Sequence, residues 1–179
     1  MASLTERMVG AMKGDVKTFT EIENDPTAMG QAITVIVLAG VAALIGNFFR
    51  AGVIFGVMNL VITLCATALW ALVVVLVGTK LMPEPTTKAD FSEAFRVIGF
   101  TASPGVFNVL AIVPFIGPVI SFAIAIWTLV IAVIAVREVL DYSSTGRAII
   151  VCLISAVCIW IVTIFVLTPI FLGAAFLGR

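Results

Sequence analysis

Residues 31–77 read QAITVIVLAGVAALIGNFFRAGVIFGVMNLVITLCATALWALVVVLV, and Arg50 is the only charge among them. On either side of it, 31–49 and 53–77 are charge-free, and each is long enough to cross a hydrocarbon core of about 30 Å at about 1.5 Å per residue. Only Arg50, Ala51 and Gly52 separate the two stretches, which predicts a tight antiparallel hairpin. Two adjoining apolar crossings make the chain a polytopic membrane protein, because a bilayer admits only helices or closed barrels and these stretches have helical length.

The rest of the chain agrees. Of its 179 residues 62% are hydrophobic and 11% charged, with no histidine and a mean hydropathy of +1.26. Soluble domains average about 45–50% apolar and about 25% charged residues, so one small core could not hide this surface and lipid must be the solvent. Ten basic and ten acidic residues cancel, leaving no broad cationic surface for nucleic acid. Cys65, Cys152 and Cys158 lie in apolar runs without a Cys or His partner at ligand spacing, so they read as small hydrophobes rather than as a zinc site or disulfide framework.

Residues 1–29 are polar and form a separate cytoplasmic segment before a membrane domain over 30–179, with no cleavable signal peptide. At about 100° per residue, Leu4, Met8, Val9, Met12, Val16, Phe19 and Ile22 share an arc opposite Glu6, Arg7, Lys13, Lys17 and Glu21, which predicts an amphipathic helix. Asp15 falls on the apolar arc, and Gly10 and Gly14 weaken the helix. The helix either lies in the headgroup plane or packs on the protein's own cytoplasmic face. Asn24, Asp25 and Pro26 end it.

Beyond the polar stretch 78–90, a third span is expected over 95–113, kinked at Pro104 because Gly99, Gly105 and Asn108 also interrupt it. A turn at 114–118 leads to a fourth span over 116–136, and a fifth follows over 148–172. The expected fold is therefore all-α, with five transmembrane helices and an N-terminal amphipathic helix. With the N-terminus cytoplasmic, the inner side receives Arg7, Lys13, Lys17, Lys80, Lys88, Arg96, Arg137 and Arg147, and the outer side only Arg50 and Arg179. The positive-inside rule thus favours N-in, C-out. Spans three and four either cross fully or dip as a re-entrant pair, since the turn between them carries no charge.

Span interiors hold no charge, and no phosphate-cradling loop, metal set or nucleophile with a base is present, so no catalytic, cofactor or metal residues are expected and the chain reads as non-enzymatic. Asn59 and Asn108 are candidates for a small polar pocket beside the backbone freed at Pro104. The pairs Gly52 with Gly56 and Ser121 with Ala125 are candidates for close helix packing, within the chain or between copies. Arg96, Arg137 and Arg147 share the cytoplasmic side as candidate headgroup contacts.

With five spans, a cytoplasmic N-terminus and a proline-broken third span, the chain resembles the Yip1 domain family, in particular its small prokaryotic members. Gly99, Phe100 and Pro104 in GFTASP (99–104) resemble the family's G-Y-x-x-x-P motif with phenylalanine for tyrosine. The stretches 19–26, 91–95, 114–118, 126–127 and 136–138 are similar as well. The D-L-Y-G-P motif of eukaryotic members is absent except for Asp25-Pro26, so their role in vesicle traffic with small GTPases is not carried over. The resemblance implies a non-enzymatic protein of a prokaryotic inner membrane. The expected function is a scaffold or adaptor acting through self-association, lipid or a partner membrane complex. The alternatives are a small transporter or channel for a neutral or lipid-like solute, and an accessory subunit of a larger complex.

Overall fold

The computed structural model describes residues 2–113, 115–162 and 165, with side chains at all of these except 49–55. It opens with two helices, α1 (Leu4–Met12) and α2 (Val16–Asn24), where one continuous amphipathic helix was expected. Gly14 makes the break at φ +67, a left-handed conformation that glycine adopts without strain. Asp15, out of place on an apolar arc, instead caps α2, its carboxylate accepting from the Thr18 amide. The pair packs as a hairpin on the bundle through Ala11, Phe19 and Ile22, all fully buried.

The spans follow. α3 (Ala28–Gly46) ends at Asn47, whose side-chain amide donates to the Ala43 carbonyl at 3.0 Å. α4 (Phe48–Leu76) starts at once, so the hairpin turn lies at Asn47 and not at 50–52, which belong to the first turns of α4. Asparagine displaces the turn because its amide satisfies a carbonyl of the helix it ends. The two helices run antiparallel, Gly40 against Leu60 and Gly56 against Leu44. A π-helical turn, Val77–Leu81, prolongs α4, and α5 (Phe91–Phe100) begins with a capping box between Asp90 and Glu93.

The third crossing changes helix type at the expected break: after α5 the chain tightens into a 3-10 helix, Ser103–Ile112. α6 (Gly117–Val139) returns and α7 (Thr145–Val162) leaves again. Pro114 and residues 163, 164 and 166–172 of the expected fifth span lie outside the described residues, as does Arg179. Five stretches are long and apolar enough to cross a membrane, Ala28–Gly46, Gly56–Leu81, Phe91–Ile112, Gly117–Val139 and Thr145–Val162. The third runs the full length of the bundle, because the Asn108 carbonyl lies against Gly46 at the far end of α3. The third stretch and α3 thus run side by side over the same length.

The closest helix packing joins α3 to the third crossing. Gly99 lies on Ala32, Gly105 on Ala39, and Gly46 on the Asn108 carbonyl. Ala32, Ala39 and Gly46 recur every seven residues, so they line one face and let the backbones approach as small residues do in bilayers. Of the pair expected to pack helices, Gly56 meets Leu44, and the surroundings of Gly52 lie outside the described residues. At the opposite, charged end of the bundle the Tyr142 hydroxyl donates to the Met82 carbonyl at 2.8 Å, tying the 140–144 turn to the end of the second crossing.

Candidate functional site

Four elements enclose a cleft of about 480 Å³ in the membrane body. Its floor is the α3 seam with the third crossing, at Ala39, Ala43, Gly105 and Asn108; Asn59 and Thr63 of α4 form one wall, and Ser121, Ala125 and Thr128 of α6 the other. The walls α4 and α6 do not pack closely on each other, although α7 packs on both, and the exposed Asn59 and Ala125 show that the cleft opens outward between them. Asn59 and Asn108, far apart in sequence, therefore meet at one cavity. Ser121 and Ala125, expected as a packing pair, line it too.

The cleft has unused hydrogen-bonding capacity. Asn108 donates to the Gly105 carbonyl at 3.1 Å, and the Thr63 hydroxyl reaches the Asn59 carbonyl oxygen at 3.5 Å. A carboxamide offers two donors and a carbonyl with two lone pairs, so both side chains can still bond an incoming group. Among the described lining residues none is charged. A bilayer-facing cavity of this kind suits an uncharged group bearing donors and acceptors, and it repels a bare ion by desolvation.

The break at Pro104 was expected to leave backbone free beside these amides. It does not. Proline lacks the amide that would bond the carbonyl four residues earlier, and that carbonyl, of Phe100, accepts from the buried Ser103 hydroxyl at 2.6 Å. The Thr101 hydroxyl likewise takes the Ile98 carbonyl at 2.7 Å. Gly99, Phe100 and Pro104 thus mark the change of helix type, with Gly99 giving close approach, Phe100 filling the core and Pro104 opening the 3-10 turn.

At the charged end, arginines hold the N-terminal hairpin. Arg7, placed by the helical wheel on the polar face, is 2% exposed. It pairs with Glu21 at 2.8 Å and Asp25 at 2.6 Å and donates to Gln31 at 2.9 Å. Burial opposes its charge, but the two carboxylates outweigh that and hold its pKa above the ordinary value. The Thr27 hydroxyl, then Arg7, holds the Asp25 carboxyl down to about 2. Arg96, expected at lipid headgroups, is buried instead, because its guanidinium caps the end of α2 by donating to the Ile22 and Glu23 carbonyls and to Ser92. Arg137 and Arg147 are exposed but engaged, Arg137 with the Tyr142 carbonyl and Arg147 with Glu84.

Glu23 is the exception among these acids. It is half-buried, and burial, then repulsion from Asp141, Glu93 and Glu138, pushes its carboxyl up to about 7 against the pull of Arg96.

A model of the Yip1 domain matches residues 14–177, from the turn of the hairpin through all five crossings. The chain belongs to the Yip1 domain family. No curated protein and no solved structure matches it. The Yip1 domain so delimited contains the whole cleft and the α to 3-10 change.

Proposed function

We propose that this Yip1 domain protein is a non-enzymatic scaffold or adaptor of a prokaryotic inner membrane, with its N-terminus cytoplasmic and its C-terminus outside. It recognises an uncharged, hydrogen-bonding transmembrane segment of a partner, or of a second copy, at the cleft between α4 and α6. The observation that carries this reading is the gathering of Asn59, Thr63, Asn108, Ser121 and Thr128 on one lipid-facing cavity without a charge. Amides and hydroxyls associate helices in bilayers at about 0.6 to 2 kcal/mol each. Several together give a selective interface without the cost of an intramembrane ion.

A transporter or channel for a neutral solute has less support. Backbone carbonyls that coordinate cargo in broken transport helices are unsatisfied, whereas the Phe100 and Ile98 carbonyls are taken by Ser103 and Thr101. The test is the native mass of protein extracted gently from its own membrane, wild type against Asn59→Leu/Asn108→Leu. A partner chain or second copy at fixed stoichiometry, lost in the folded double variant, is expected. A wild-type monomer carrying no protein, with liposome flux that depends on Asn108, would establish the transporter instead.

A further inference from the structure

The inner face of the α1–α2 hairpin packs on the bundle; its outer face has a different character. Thr20 of α2 donates to Glu138 near the end of α6, Gly14 lies on Ile134 a turn deeper, and the Trp127 indole donates to the Met12 carbonyl at 2.9 Å, deeper still. Glu138 and Trp127 are separated by about 16 Å along a helix rising 1.5 Å per residue. The tip of the hairpin therefore runs beside the apolar length of α6, below the level of Arg137 and Glu138. α6 itself has 23 residues, little more than the about 20 needed to span the hydrocarbon, so this level lies within the bilayer boundary.

Around that tip Val9 and Val16 are 42% and 46% exposed, and Lys13 and Lys17 are exposed with them. Among the described residues neither ammonium makes an ion pair or hydrogen bond, although Arg7, Arg96, Arg137 and Arg147 all do. Asp15, the acid at the tip, is exposed as well; its carboxylate accepts from the Thr18 hydroxyl at 2.7 Å, which, with the nearby Lys17 charge, holds it below the usual range and leaves the two lysines in excess.

We propose that the outer face of the α1–α2 hairpin docks on the anionic lipid headgroups of the leaflet at the charged end, with Lys13 and Lys17 as the headgroup contacts. The valines enter the acyl boundary, and the lysine stems lie along them while the ammonium groups reach up to the phosphates. Lysine suits this work because a mobile point charge follows a fluid headgroup layer, whereas the planar arginine fork suits the fixed carboxylates and carbonyls inside the protein.

The experiment is native mass spectrometry of the full chain in neutral detergent, titrated with phosphatidylglycerol or with phosphatidylcholine of the same acyl chains. A lysine near an anionic surface contributes about fivefold in affinity, so K13Q/K17Q is expected to cut the preference for phosphatidylglycerol by about twenty-fivefold. K13R/K17R keeps it, and the loop pair K80Q/K88Q keeps most of it. Equal binding of both lipids by the wild type, an unchanged preference in K13Q/K17Q, or an equal loss in K80Q/K88Q overturns the proposal. The melting temperature of K13Q/K17Q in lipid-free detergent stays at the wild-type value; a fall would mean that the lysines hold the fold, and that also overturns it.

Discussion

At the charged end, Arg7 and Arg96 join helices through guanidinium groups shared among carboxylates and carbonyls, whereas in the cleft the polarity is carried by Asn59, Asn108 and three hydroxyls without a charge. The two regions face different solvents. Near water, a buried arginine can collect several acceptors, and its partners keep some hydration, Glu21 being 46% exposed. Facing lipid, an ion would have no such relief, and uncharged amides are the polar groups the bilayer tolerates. The lesson is that the charged end spends its polarity on holding helices together, while the cleft keeps donors and acceptors unused.

The comparison breaks most visibly if the arginine clip is removed. Arg7→Met leaves Glu21, Asp25 and Gln31 without their common donor and is expected to weaken hairpin docking by about 2 to 3 kcal/mol, less than the about 3 to 5 of a fully buried pair because Glu21 is half in water. Hydrogen exchange of residues 4–24 would report it, and unchanged protection there would show that apolar burial alone holds the hairpin. In the membrane body the corresponding weak point is steric. A Cβ at Gly46 would run into the Asn108 carbonyl, so Gly46→Ala is expected to cost about 1 to 3 kcal/mol by overpacking and to distort the cleft floor. Gly30, with nothing near its Cβ position, is the control, and equal melting temperatures for the two alanine variants would refute the close seam.

A smaller effect separates the regions by pH. The Glu23 carboxyl is raised from 4.5 to about 7 in the folded protein, so it contributes stability that is full below about 4.5 and lost as pH rises through about 7. Asp25 acts in the opposite sense, adding stability above its ordinary 3.8 and losing it as pH falls through about 2. Hairpin protection is thus expected to decline between pH 4.5 and 7, and Glu23→Gln flattens that slope while leaving the uncharged cleft and α3 seam unaffected. A slope that persists in Glu23→Gln would assign it to other groups.

The crossings were legible because a charge-free run of helical length has one explanation in a bilayer, and the carboxamides of Asn59 and Asn108 stood out as rare groups within such runs. Other features were hidden by distance in the chain. Arg7 sat on the polar arc only while residues 4–22 were drawn as one helix; once Gly14 turns the chain, α1 rotates it inward, toward Glu21, Asp25 and Gln31. Asn47 and Ser103 carry readable local signals, an amide able to end a helix and a hydroxyl beside the proline that takes the Phe100 carbonyl the proline leaves unbonded. That Ser121 and Thr128 join the asparagines depends on how α6 lies against the third crossing, which no local pattern records.

The most direct test of the adaptor reading is the native mass of the gently extracted protein, wild type beside Asn59→Leu/Asn108→Leu. The account predicts a wild-type assembly with a partner chain or second copy at fixed stoichiometry, and a folded double variant that has lost it. An assembly that survives the double substitution intact, or a wild type that carries no protein partner, would contradict it.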